Sequence, residues 1–338
     1  MSQFSVPIIK LRGFGKHPNA DTLSITDIEG CPVVFKTGSI AKGDLAVYIP
    51  VEAVIDGNLP WTRKALSFLK YKNDMTYRVK AMRLRGVFSM GILLPFKEIE
   101  DFIAGEVKEG RDLSYDLSIV KYEEPEDLLM TGNRVKDPGV APIYDMESYR
   151  KYHKIFEDVG NIAITEKIHG SNCRIVYHND TVMVGSHRVW LGEDDNNMFW
   201  HTIKLNEIDK KIKNYPDLVV YGEVFGNQDL KYDTKAGEYK FRAFDIYDSK
   251  KGLYLDWADF KSFCKELDIV TAPILYEGPY SDAIVRELVS GKSLLASHFR
   301  EGIVIRSQKE IYNPKTRRTV LKLVSEEYLT RKDGTEGH

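Results

Sequence analysis

Residues 164–176, ITEKIHGSNCRIV, set a lysine inside what otherwise reads as a buried strand. NIAIT precedes Glu166 and Lys167, and CRIVY follows Ile168 after four intervening residues, so strand-like apolar runs flank the charge on both sides. Lysine is rarely buried without a partner, which leaves Lys167 either an edge position or a task. A lone K-x-x-G is common by chance and is met most simply by a solvent-facing strand end. The reading of Lys167 therefore depends on what accompanies it.

At 338 residues the chain is too long for one ordinary core, and two domains are expected. The composition is globular, with 43% hydrophobic and 29% charged residues, and no segment of low complexity. No apolar run is long enough to span a bilayer, and MSQFSVPIIKLRGFGK lacks the zones of a signal peptide. Cys31, Cys173 and Cys264 are too scattered for a disulfide framework or a thiolate metal site. An intracellular protein that is not secreted and has no membrane partner is expected.

The net charge of −2 hides an asymmetry. Trp61 to Gly86 holds eight basic residues against Asp74, whereas Glu98 to Asp127 holds eleven acidic and three basic ones. Segregation of this kind suits a face kept for an anionic partner, although ordinary solvated faces also produce it.

Residues 1–120 read as short strands divided by turns: PIIKLRGFG, LSITDIEG, PVVFKTG, DLAVYIPV, TYRVKAMRLRG and FSMGILLPF. That many short strands in so short a segment predict an all-β barrel of OB type. GKHPNADTLSITDIEG also resembles the opening of tRNA-binding OB domains. Residues 121–145, rich in Pro, Gly and acid and without apolar period, are expected to be a linker. From 146 to 338 strands mix with helix-like runs (MFWHTIKLNEIDKKIKN, WADFKSFCKEL, YSDAIVRELV), predicting an α+β domain built on antiparallel sheets. SGKS at 290–293 has Arg286 where a phosphate loop needs its leading Gly, and the spacing of His153, His169, His178, His187 and His201 fits no zinc motif.

After TEKIHGSN come, in order, GSHR (185–188), YGE (221–223), FRAFDIYD (241–248), EGIVIR (301–306) and VLKLVS (320–325). This ordered series resembles the nucleotidyltransferase motifs of the covalent lysyl-adenylate superfamily, the polynucleotide ligases and mRNA capping enzymes. K-x-H-G at Lys167–Gly170 is similar to the RNA-ligase branch, since DNA ligases more often carry Asp in place of His169. Only 16 residues follow Lys322, so the C-terminal OB domain of DNA ligases and capping enzymes is not expected. A barrel placed before the catalytic domain instead resembles the type 5 RNA ligases, two-domain enzymes that seal nicks.

The resemblance implies an ATP-dependent RNA ligase joining 3′-OH and 5′-phosphate ends at nicks, in RNA or RNA/DNA hybrid duplexes, as a monomer with Mg²⁺ or Mn²⁺. Lys167 would be the nucleophile, carrying AMP through a phosphoramidate bond before passing it to a 5′ end. Freeing the amine of its proton at pH 7 costs about 4.6 kcal/mol from a reference pKa of ~10.4, a cost that neighbouring cations lower. By the same resemblance Lys322 would assist, and Glu301 with Glu223 would hold the metal. Glu166, Ile168, Asn172, Arg188, Glu223, Phe244 and Lys322 would contact the nucleotide, with Phe244 stacking on adenine. Val320 stands where relatives often have the first lysine of K-x-K; Arg318, Arg317 or Lys315 are candidates to replace it.

Taken singly, Phe244 suits a core, Glu223 and Glu301 suit strand-end surfaces, and Arg188 suits a solvated loop; the ordered set argues otherwise. In the barrel Lys70, Lys72, Arg78, Lys80, Arg83 and Arg85 alternate with Tyr71 and Tyr77, the composition of a groove that binds nucleic acid. Charges that keep an edge strand soluble are the plainer alternative. Two other functions remain open at this point: a GTP-dependent capping-type enzyme or DNA ligase, and a non-catalytic RNA-binding protein on the same scaffold.

Overall fold

The computed structural model describes residues 4–72, 74–123, 133–226, 230–235 and 237–331. Its contacts divide the chain into two units, one built on Ser2–Glu124 and joined by the segment from Glu326, the other on Pro125–Ser325. Among the described residues no helix is long and apolar enough to cross a membrane.

The first unit contains the expected short strands: β1 (Ile8–Lys10), β2 (Gly15–Lys16), β3 (Leu23–Ile28), β4 (Cys31–Lys36), β5 (Leu45–Ile49), β6 (Ala53–Asp56), β7 (Thr76–Arg78), β8 (Met82–Leu84), β9 (Val87–Ser89), β10 (Ile92–Pro95) and β11 (Val120–Lys121). They form antiparallel sheets in the orders β1-β5-β10, β2-β3-β4, β11-β6-β7 and β8-β9. Strand β5 explains how one small module closes on itself. Ala46 and Tyr48 enter one apolar cluster with Val33 and Phe35, while Val47 and Ile49 enter another with Ile55 and Trp61, so both faces of β5 are covered. FSMGILLPF is cut in two at Gly91. Its φ of +90° is a glycine conformation, and a Cβ there would meet the Ile49 carbonyl at 2.5 Å. TYRVKAMRLRG is likewise two strands rather than one, β7 pairing with β6 and β8 with β9.

In the second unit a seven-stranded sheet runs β12 (Arg134–Val135), β17 (Trp190–Leu191), β16 (Thr181–Gly185), β15 (Ser171–His178), β18 (Leu218–Gly226), β19 (Tyr239–Asp248), β20 (Leu253–Tyr254). A five-stranded sheet runs β13 (Glu147–Ser148), β25 (Val320–Val324), β22 (Gly302–Ser307), β14 (Asn161–Lys167), β21 (Ile274–Pro279). All pairings are antiparallel except β13 with β25. Strands β23 (Tyr312–Asn313) and β24 (Arg317–Arg318) make a hairpin between β22 and β25. Period-2 patterning sorts the faces. Cys173, Ile175, Val220, Val224, Phe241 and Ala243 pack on helices Met198–Leu205 and Trp257–Glu266, whereas Ile162, Ile164, Ile303, Ile305 and Leu321 pack with Val285 of helix Asp282–Leu288. The remaining faces of the two sheets carry the polar motif residues.

Asp245 of β19 ties these sheets together. Its carboxylate, fully buried, accepts from Arg306 Nη1 of β22 at 3.1 Å, Arg318 Nη2 at 2.8 Å and the Tyr144 hydroxyl at 2.7 Å. Burial alone would push this acid up, but Arg306 and Arg318 outweigh it and hold the carboxyl below its usual range.

Two boundaries differ from the sequence reading. Residues 133–145, expected as linker, belong to the second unit: Arg134 and Val135 pair with Leu191 and Trp190, and Trp190 Nε1 donates to Asp137 at 3.0 Å. The Tyr221 hydroxyl donates to the Pro142 carbonyl at 2.6 Å. Every one of these partners is distant in sequence, so the segment shows no local period. At the other end, helix Glu326–Leu329 belongs with the first unit, burying Tyr328 and Leu329 and pairing Glu326 with Arg83 at 2.9 Å.

Removing one member of a buried charge network leaves the others unpaired, at about 3–5 kcal/mol. Asp245→Asn is therefore expected to lower chemical-denaturation stability by that order. Lys309→Ala, breaking an exposed pair with Asp256, should cost no more than about 1 kcal/mol.

Candidate active site

The ion partner of Lys167 explains its place in the strand. Lys167 ends β14 opposite Gly302, the first residue of β22, and its Nζ donates to Glu301 Oε1 at 2.8 Å. Glu301 is 1% exposed, and its second oxygen, Oε2, is buried without a hydrogen-bond partner among the described residues. His169 Nδ1 lies 3.8 Å from that oxygen. Two glycines permit the close approach. A Cβ on Gly302 would sit 2.2 Å from the Leu323 carbonyl, and one on Gly170 would sit 2.4 Å from the Val224 carbonyl. The His169 amide donates to the Tyr232 hydroxyl at 2.8 Å, fixing the turn after the lysine.

Strand register assembles the rest. Thr165, Val304 and Lys322 form one row across β14, β22 and β25, which puts Lys322 on the same face as Lys167. Across the larger sheet Asn172, Glu223 and Arg242 form another row, on β15, β18 and β19. The Glu223 carboxyl is pushed up to about 8, chiefly by burial and further by Glu301; Lys167 and the Gly170 amide pull the other way. Asn172 Oδ1, like Glu301 Oε2, is a buried acceptor with no partner among the described residues. Phe244 sits where the β18–β19 register shifts, half-buried, with its ring 4.9 Å from that of Tyr144.

Other motif residues are placed differently. Glu166 turns its carboxylate to the opposite side, where it accepts from Ser293 Oγ at 2.5 Å and the Leu294 amide at 2.8 Å. Ile168 is buried, and Arg188 is exposed in the turn between β16 and β17. No candidate replaces the lysine missing at Val320. Arg318 is committed to Asp245 and Glu310, while Lys315 and Arg317 belong to the hairpin beyond the Arg306–Val320 pair. That pair lies four residues along β22 from Gly302, roughly 13 Å from the Lys167 end.

The barrel's cations also separate. Arg78 Nε donates to Glu52 Oε2 at 2.9 Å, and the guanidinium stacks 3.6 Å above the Tyr122 ring, so it is used internally. Tyr71 and Tyr77 pack edge-to-face at 6.2 Å and against the core, rather than offering free stacking surfaces. Lys80 follows β7 and is half-buried; Arg83 pairs with Glu326. Lys70, Lys72 and Arg85 are exposed.

Among the described residues no three His, Cys, Asp or Glu side chains converge as a metal cage. The orphan oxygen of Glu301 together with Glu223 fits a hard cation that takes one or two carboxylates and completes its shell with phosphate and water. Two further residues lie beside these groups without having been singled out. Arg242 was readable, since strand period puts it on the face of Phe244 two residues on; Tyr232 lies in a segment with no periodic signal.

Residues 160–324 match the RNA ligase family model and residues 6–96 an OB-fold domain model. A Naegleria gruberi RNA ligase solved with pyrophosphate superposes with a TM-score of 0.81 at 22% identity, covering 97% of this chain and 98% of that one. A mutant of the same ligase with ATP and manganese gives 0.80 at 22% identity over 97% and 98%, and another with AMP and manganese gives 0.78 at 22% over 96% and 97%. No curated protein sequence matches this chain significantly. The family and fold matches agree: residues 160–324 match the RNA ligase family and follow, in this chain, an N-terminal segment that matches an OB-fold domain.

Proposed function

We propose that this protein is an ATP-dependent RNA ligase that seals 3′-OH/5′-phosphate ends at nicks in RNA or RNA/DNA duplexes, acting as a monomer through a lysyl-AMP intermediate. The observation that carries the reading is Lys167 Nζ held 2.8 Å from a buried carboxylate, on the same face as Lys322. Nζ attacks the α-phosphorus of ATP, the N–P bond forms as the bond to pyrophosphate breaks, and the N–H proton leaves toward Glu301 Oε1. AMP then passes to the 5′-phosphate of the RNA, releasing the lysine. The 3′ hydroxyl oxygen attacks that phosphorus, loses its proton and expels AMP.

Lys322 stabilises charge gathering on the phosphoryl oxygens. Asn172 Oδ1 and Glu223 receive ribose hydroxyls, and Phe244, braced by Tyr144, supports the adenine. Arg188 reaches nucleotide phosphate from its exposed turn. A Mg²⁺ or Mn²⁺ ion held by Glu301 and Glu223 would supply neutralisation of the phosphate charge. Exposed Lys70, Lys72 and Arg85 of the OB domain hold the RNA backbone.

Incubation with α-phosphate-labelled ATP and Mg²⁺ or Mn²⁺ tests this directly. Label is expected on the wild type and absent from Lys167→Met. GTP labelling in place of ATP would favour a capping-type enzyme, and no label from either on folded, unadenylylated protein would leave an RNA-binding scaffold.

Glu223 supplies a pH test. Its folded pKa of about 8 lies above the unfolded value of 4.5, so between about pH 4.5 and 8 the unfolded chain has released a proton that the folded one keeps. Stability should fall as pH rises through that window in metal-free buffer, and Glu223→Gln should remove that part of the decline in thermal midpoint.

The barrel's cations divide into two outcomes. Replacing Lys70, Lys72 and Arg85 together by Ala should weaken nicked-RNA binding and flatten its salt dependence while leaving the unfolding midpoint near wild type. Arg78→Ala should instead lower the unfolding midpoint, because it removes the guanidinium that pairs with buried Glu52 and stacks on Tyr122.

A further inference from the structure

Arg242 is a cation on the nucleotide face that none of the steps above uses. Register puts it directly across β18–β19 from Glu223, and strand period puts it on the same face as Phe244, about 7 Å along β19. Half-buried, it makes one hydrogen bond among the described residues, from Nη1 to the neighbouring Phe241 carbonyl at 3.2 Å. No described carboxylate pairs with it. Glu223, the acid next to it, makes no ion pair with it, and its carboxyl feels the charge of Lys167. The Phe225 ring lies 6.0 Å from the guanidinium and flanks it on the same face. A guanidinium with most of its donors unspent, held between an aromatic ring and a ribose-binding carboxyl, is suited to phosphate, which its planar fork can grip through two oxygens.

Which phosphate follows from the layout. The reacting end of ATP must reach Lys167 and Lys322, both on the five-stranded sheet. Motif order leads from Lys167 through Gly170 into β15, and Arg242 stands two strands further across, roughly 10 Å beyond Asn172. The triphosphate therefore runs away from Arg242 while the ribose lies beside it. On the ligase reading, which this inference rests on, what remains to occupy that side is the polynucleotide. We propose that Arg242 is an RNA-contacting residue of the catalytic unit, binding a backbone phosphate of the RNA end being joined and acting after lysine adenylylation.

The full-length chain can be tested in three assays: Lys167 labelling by ATP, sealing of a nicked duplex whose 5′ end already carries AMP, and anisotropy binding of a fluorescent nicked RNA duplex. Arg242→Ala is expected to keep labelling within about twofold and its unfolding midpoint near wild type, yet to lose about tenfold or more in sealing and in affinity. Arg242→Lys should recover part of both, since it restores the charge but not the fork. An equal fall in labelling and sealing would make Arg242 an ATP ligand and overturn the proposal, as would sealing and binding at wild-type levels. Wild type that takes no label, with Arg242→Ala still loosening nicked RNA, would sink the ligase reading and leave the RNA contact standing. Unlabelled wild type with unchanged binding would sink both.

Discussion

The pairing of Lys167 with Glu301 is the constraint around which the catalytic unit is arranged. A lone ammonium at the end of a covered strand would be expensive, and so would a carboxylate 1% exposed. Each makes the other tolerable, and their backbones must lie close enough for a 2.8 Å contact. That requirement accounts for Gly302, since any side chain there would strike β25, and for Gly170, where the chain turns against β18. It leaves Glu301 with one buried oxygen unspent, beside the face that collects Lys322, Glu223 and Asn172.

The two sheets that contribute these groups need a fixed relation, and Asp245 provides it. One carboxylate receives Arg306 from the five-stranded sheet, Arg318 from the following hairpin and Tyr144 from residues 133–145. A cluster of two cations on one buried anion, with Glu310 taking the remaining charge of Arg318, is satisfied only when every element is in place. The FDIYD motif thus does two things at consecutive residues: Phe244, at the register shift, packs its ring against Tyr144, while Asp245 beside it locks the scaffold.

Much of this was legible in sequence because its signals are local. Period-2 apolar runs placed β14, β15, β18, β19, β22 and β25, and amphipathic spacing placed the helices Met198–Leu205, Trp257–Glu266 and Asp282–Leu288. The order of the motifs named the family, and short strands with turn residues named the barrel. Illegible parts share a cause: their partners are far away in the chain. Residues 133–145 look like a linker because Trp190, Tyr221 and Asp245 supply the order that their own composition lacks. Arg78 looks like its neighbours Lys80 and Arg83 until Glu52 and Tyr122 claim it.

By itself, then, the amino-acid sequence determined the strand periods, the lysine set in a strand with its company of carboxylates, and the order in which they arrive, since these depend on residue type and spacing along one chain. Only the tertiary structure decided which charges are spent. It committed Arg318 to Asp245, Glu166 to Ser293 and Arg78 to Glu52, and it kept Glu301 Oε2, Asn172 Oδ1 and most of Arg242 unspent among the described residues. The physical reason is that a hydrogen bond or ion pair is made in space between strands brought into register, and register is a property of the whole sheet.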